Sequence, residues 1–315
     1  MGQRAENVVL CRYGGSVDRL TEQAALLALL RDRKSGWGLV ADEVEGWGSS
    51  LKVLEHEIST DGQGDLLAPD PASEVQRRLD ATREAIGTWR AQGLELVTVL
   101  DPKYPGQLLT IHQRPPFLFY RGALRAADAS GVAVVGTRKP SARGVQQARE
   151  LAGGLATRGV AVISGLAAGI DTAAHTAALA AGGRTVAVVG TGLLRSYPAE
   201  NVALQERIAR EHVVLSQFWP DAAPTKSTFP MRNAVMSGYS AATVVVEAAA
   251  RIGATMQARL ALEHGRPVFL LDTLLEHEWA RDYAQRPGTR VVQDAEQVLA
   301  ALDDVLAPPG ELVWG

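Results

Sequence analysis

Cysteine is nearly missing: one, Cys11, stands in 315 residues. That excludes an internal disulfide framework and a cysteine-built metal cluster, and it fits a reducing compartment. Long hydrophobic runs are missing as well. Alanine and glycine dilute every apolar stretch before it reaches the length of a membrane span, so no membrane partner is expected. Charge of one sign is not in excess. Thirty-two Lys and Arg against 35 Asp and Glu leave a formal charge of −3, so any nucleic-acid surface must be a local patch and not a global field. The opening residues, MGQRAENVVLCRYGG, lack the apolar core of a secretion leader, and a cytoplasmic location is expected. There is no internal repeat and no low-complexity tract.

What is there is a chain 46% hydrophobic, long enough for one large α/β domain with a smaller one beside it. Residues 1–72 read as a small helical region and a linker. TEQAALLALLRDR has its apolar residues spaced for one helix face, glycines punctuate the stretch after it, and residues 59–73 are polar with Gly and Pro. A helix from SEVQRRLDATREAIGTWRAQG, with Ser73 as its cap, opens a second domain over 73–305, and 306–315 form a tail. From Leu94 onward short β-branched runs alternate with helical stretches: LELVTVL, FLFYRG, VAVVG, VAVIS, TVAVVG, HVVLS, ATVVVEA, PVFLL and TRVVQ. Such alternation implies parallel pairing through right-handed crossovers. Strands apolar on both sides imply helices on both faces of the sheet. The expectation is a Rossmann-like, doubly wound, mostly parallel sheet with a small N-terminal helical domain, its ligand beyond the carboxyl ends of the strands. A last helix is expected to be capped by Asp294 with Gln297.

The loops after these strands carry the chemistry. Val132 to Ser141, VAVVGTRKPS, breaks a strand at Gly136 and starts a helix at Ser141. Free N–H groups, the helix dipole and Arg138 make that turn an anion site, with Thr137 in it. The second loop, Ser164 to Asp171, has Gly165 and Gly169 four apart. Asp171 is placed to cap the next helix, and His175 lies on the same face as Asp171. Such a pair more often fixes a loop than does acid–base work. The third loop holds Gly190 and Gly192, followed by Tyr197-Pro198, and closes over a nucleotide or packs on its neighbours. In the fourth, Lys226 and Phe229 stand three apart, an ammonium for a phosphate and a ring for a base. Pro230 suits the first helical turn, which leaves Arg232 and Asn233 available to loops or ligand. Glu247, at a strand end, has three open partners: a ribose hydroxyl, Arg232, or the helix near Gly253. Pairing with Arg232 is favoured. No metal cluster or strong nucleophile–base pairing is seen, so neither a cofactor nor an enzymatic activity is expected.

Taken in order, G-x-R-x-x-S, SGLA-x-GID-x-x-AH, G-x-GL, YP-x-x-N, FP-x-RN and VVEA resemble the bacterial DNA-processing DprA/Smf family, across about Leu94 to Leu271. The resemblance implies single-stranded DNA binding, a homodimer, and loading of the recombinase RecA during DNA uptake. By motif, Arg138 would clamp a phosphate, Lys226 would contact the backbone and Phe229 would stack on a base. Gly136, Ser141, Gly165 and Gly169 would form the pocket floor. The chain departs from the pattern at Ala168 and Ala234, where the family usually has arginine, at Ser216-Gln217-Phe218-Trp219-Pro220, and at Leu271-Asp272-Thr273. The alternative expectation is a nucleotide-binding sensor or nucleotide-processing protein of the same superfamily, using Gly136, Arg138, Gly165 and Glu247. The PGG-x-GT motif of the phosphoribohydrolase branch is absent.

Overall fold

The structure, a computed structural model, describes residues 18–31, 33, 36–61, 70–248 and 253–306. Cys11, the core of the expected linker and the tail after Leu306 lie outside the described residues. The chain divides into two compact units. One takes Met1–Leu109 with Arg114–Phe119, the other Thr110–Gln113 with Tyr120–Gly315.

In the first unit, α1 (Arg19–Arg31), α2 (Trp37–Trp47), α3 (Ser50–Asp61) and α4 (Pro71–Ala91) are followed by β1 (Glu95–Thr98). The one-faced reading of α1 is corrected: every residue from Thr21 to Leu30 is buried, because α2, α3, α4 and β1 all pack on it. Its polar residues are accommodated by bonds. The Glu22 carboxylate accepts from Ser50 N at 2.6 Å and Ser49 Oγ at 2.7 Å, and so caps α3. Gln23 donates to Leu96 O at 3.1 Å and to Asp101 at 3.0 Å. The cap of α4 is Asp70 and not Ser73. Asp70 accepts from Ser73 N at 3.0 Å, and Pro71 takes the first helical position, where its missing N–H costs nothing.

In the second unit the division runs through β2 (Phe117–Gly122). Then come β3 (Val132–Gly136), α5 (Ala142–Thr157), β4 (Val162–Ser164), α6 (Ile170–Ala180), β5 (Thr185–Val188), α7 (Val202–Glu211), β6 (Val213–Ser216), α8 (Thr228–Tyr239), β7 (Ala242–Glu247), α9 (Gly253–Glu263), β8 (Val268–Leu271), α10 (Glu278–Ala284), β9 (Thr289–Val292) and α11 (Ala295–Leu306). Within this unit the strands lie in the order β6-β5-β4-β3-β7-β8-β9, with parallel neighbours from β6 through β9. The order turns outward in both directions from β3 and β7. That is the topological switch point of a doubly wound sheet, where a crevice opens beyond the strand ends.

Val132, Val134, Val244 and Phe269 form a core with residues of α5, α6 and α11 on one face. The alternate residues Ala133, Val135 and Val245 are buried as well, and α8 and α9 pack on the strands. Both faces are covered, as strands buried on both sides require. The last helix is capped as its sequence indicates, Gln297 N donating to Asp294 at 2.9 Å. α10 has no sequence signal. Glu278-Trp279-Ala280-Arg281-Asp282-Tyr283-Ala284 is too short and too charged to show a periodic apolar stripe, yet it buries Ala280 and Tyr283. No helix among the described residues is long and apolar enough to cross a membrane.

Candidate nucleic-acid interface

The first loop leaves β3 under tight control. Thr137 N donates to Glu247 O at 2.7 Å, and Ile170 N donates to Thr137 O at 3.2 Å. A methyl at Gly136 would land on Ile170 and the Glu247 carbonyl. Gly169, at φ +83°, lies directly under the Thr137 and Arg138 backbone, a conformation and a proximity that only glycine allows. Arg138 therefore projects from a loop pinned on both sides. Its side chain is exposed, with the guanidinium carbon 5.3 Å from the centre of the Phe229 ring.

Ser141 caps α5 as expected, its Oγ accepting from Gly144 N at 3.0 Å. The anion there belongs to the chain itself. Glu247 takes hydrogen bonds from Ser141 N at 3.0 and 3.1 Å and from Ser141 Oγ at 2.8 Å. The favoured Glu247–Arg232 pairing is thus corrected. The carboxylate at the end of β7 reaches across the switch point to the start of α5, where the helix dipole and free N–H groups favour it.

The second loop wraps two buried charges of opposite sign, Asp171 and Arg232. Asp171 is not the cap of α6, which falls at Gly169; it sits inside the first turn and reaches back to accept from Gly165 N at 3.1 Å and Ala167 N at 3.3 Å. Arg232 is only 6% exposed and donates to Val188 O at 2.9 Å. Its guanidinium lies against Gly165, where any side chain would collide with it. Burial pushes the Asp171 carboxyl up and the Arg232 guanidinium down; the charge of each opposes that shift in the other.

His175 does not share a hydrogen bond with Asp171. Its Nδ1 lies 2.6 Å from Thr185 Oγ1, and that hydroxyl donates to Val162 O at 2.8 Å, so Nδ1 carries the proton. Burial drives the imidazole down to about 3. A group neutral in the native state and charged when unfolded contributes stability that is complete above the unfolded value near 6.5 and is lost as pH falls toward about 3. Urea denaturation below pH 6 is expected to show stability falling at up to about 1.4 kcal/mol per pH unit from this residue. His175→Asn, which keeps a donor to Thr185, should flatten that slope.

Two clefts open beside the Arg138–Phe229 contact. A methyl at Gly190 would lie 3.1 Å from Phe229 Cδ1, so the ring rests on the third loop. One cleft, about 130 Å³, is lined by Arg138, Gly165, Ala168, Gly190, Tyr197 and Phe229. The other, about 440 Å³, is lined by Gly136, Thr137, Arg138, Lys226, Phe229 and Asn233. Lys226 is exposed and Asn233 buried. Gly192 takes no part in either; it packs against the Trp219 and Pro220 carbonyls. Tyr197 had no assigned role from the sequence. Its half-exposed ring lies 5.8 Å from that of Phe229, and an aromatic in a glycine-flanked loop was the available signal. Of the expected contacts, Gly136, Thr137, Arg138, Lys226, Phe229 and Asn233 share one cleft. Ser141 turns to Glu247, and Arg232, buried beneath the loops, joins Gly165 in the lining of the smaller cleft.

A doubly wound, Rossmann-like sheet with cations and aromatic rings at its carboxyl edge, and a helical unit before it, is the class of protein described so far. The chain belongs to the DNA recombination-mediator protein A family, whose model matches residues 95–306. It is 36% identical over 265 residues to DNA processing protein DprA of Streptococcus pneumoniae, covering 80% of this chain and 92% of that one. It is 30% identical over 258 residues to DNA processing protein DprA of Bacillus subtilis, covering 81% and 87%. The X-ray structure of the S. pneumoniae protein superposes with a TM-score of 0.63 at 32% identity, over 89% of this chain and 92% of that one. A structure of DNA processing protein A from Helicobacter pylori, described for its single-stranded DNA binding mode, superposes with a TM-score of 0.60 at 25% identity, over 67% and 96%.

Proposed function

We propose that this chain binds single-stranded DNA along the rim that carries Arg138, Lys226 and Phe229, and acts as a recombination mediator that hands the strand to RecA during DNA uptake. It would work in the cytoplasm as a homodimer, without a cofactor and without turnover chemistry. The observation that carries the reading is the cleft shared by Arg138, Lys226 and Phe229. It offers two cations for successive phosphates and a ring for a base. Family membership and the single-stranded DNA binding of the H. pylori relative support it. The glycines at 136, 165 and 169 let neighbouring loops close up beneath the strand. The small-nucleotide alternative is less well supported, because the α5 N-terminus, where a nucleotide phosphate would rest, already holds Glu247.

Fluorescence anisotropy with a labelled poly-thymidine strand at two salt concentrations tests this. Affinity should fall steeply with salt and exceed that for duplex of equal length. Lys226→Ala should weaken binding about fivefold, regardless of sequence, and reduce the logarithmic salt slope by about 0.7. Equal, salt-insensitive binding of both DNA forms would reject the proposal.

A further inference from the structure

The switch point of a doubly wound sheet is where a nucleotide phosphate ordinarily meets a helix N-terminus. Here that junction is closed twice over. The backbone closes it first: β3 and β7 run in register to Val135 and Val245, shift, and then pair Gly136 with Glu247. Thr137 N donates to Glu247 O at 2.7 Å beyond the end of the strand. The Glu247 side chain closes it again, with both carboxylate oxygens on Ser141 N and one on Ser141 Oγ. The contact has room only because residue 144 is glycine, since a methyl there would fall onto Glu247 Oε2. Lys139 and Arg143 line the neighbouring cleft of about 360 Å³ with Glu247, so cations stand beside the helix end and its anion comes from within the chain.

We infer that Glu247 is a specificity-determining residue. It occupies the α5 anion position with the chain's own carboxylate and so excludes the terminal phosphate of a mononucleotide. A polynucleotide does not need this position, because its phosphates meet Arg138 and Lys226 along the rim. The preference for strand over nucleotide rests on the DNA-binding reading; the exclusion of a free phosphate monoester does not. A phosphate entering this site would have to displace a carboxylate already bonded to the N–H and hydroxyl it needs, against like charge.

The test is calorimetry of the full chain with inorganic phosphate and with adenosine monophosphate. Wild type should bind neither at millimolar concentration. Glu247→Ala empties the position and should raise affinity for both by about tenfold or more. Gly144→Ala displaces the carboxylate through a flexible side-chain end and keeps the backbone, so it should give a smaller gain of the same kind. Glu247→Gln leaves an oxygen acceptor on Ser141, keeps the position filled and should gain little. Failure of both alanine variants to gain phosphate while still binding poly-thymidine would overturn the inference and leave the DNA reading intact. An equal gain in Glu247→Gln would also overturn it, since repulsion and not occupancy would then be at work. Poly-thymidine binding absent from wild type, with phosphate gained in the variants, would sink the DNA reading alone.

Discussion

Replacing Arg138 by alanine is expected to weaken binding of a poly-thymidine strand by roughly thirtyfold, the cost of one well-placed charge-assisted phosphate contact. The geometry predicts more than loss of one charge. The guanidinium lies 5.3 Å over the Phe229 ring, and both residues line both clefts, so each holds the other in place along the shared wall. Arg138 is supported from below by Gly169 and from the side by the Thr137 bonds, so the loop itself should survive the substitution. Phe229→Ala should cost a similar amount by removing a stacking platform worth about 1–3 kcal/mol. The double variant should lose less than the sum, with a coupling of about 1 kcal/mol, because a cation–π contact is counted in both singles. Arg138→Lys keeps the charge but not the planar stack. It should recover the salt dependence and only part of the affinity. Additive losses in the cycle would mean that the two side chains meet the strand independently.

Most of the sheet was legible because its signal is local. VAVVG, FLFYRG and ATVVVEA announce strands by composition, and a glycine followed by a capping serine announces the start of α5. The strand ends then bring the motif loops to one edge by topology alone. What stayed hidden depends on pairs far apart in the chain. Glu247 had three plausible partners, and its actual one, Ser141, lies 106 residues away; a register shift at the end of β3 decides between them. Arg232 reads as an available cation beside FP-x-RN, yet it is drawn inward because Gly165 leaves room for its guanidinium and Asp171 lies close enough to offset part of the burial cost. The all-round burial of α1 is equally non-local. Its polar Glu22 and Gln23 look like a solvent face until the ends of α3 and β1 supply their hydrogen bonds.

The largest loss of stability is expected at the other end of the sheet, far from any ligand. Asp128 is fully buried before the start of β3. It pairs with Arg184 through two contacts, one of 2.6 Å to Nη2, and accepts from the Tyr239 hydroxyl at 3.0 Å. Arg184 also donates to Ala123 O at 2.7 Å. One carboxylate thus joins the entry to β3, the entry to β5, the end of α8 and the loop after β2. Burial and the Asp128 charge hold the Tyr239 hydroxyl well above its ordinary value, so it stays a donor at every physiological pH. Asp128→Ala strands a guanidinium whose side chain is only 10% exposed and should cost about 3–5 kcal/mol, the range for breaking one side of a buried pair. Thermal unfolding of the second unit should drop by roughly 10 °C. The loss lies mostly in the orphaned charge and not in the pair, so Arg184→Met added to Asp128→Ala should restore part of it. Below the melting range the single variant should bind poly-thymidine as wild type does, because the rim at the strand ends does not touch this network. A loss of DNA affinity in the folded variant would show that the two ends of the sheet are coupled.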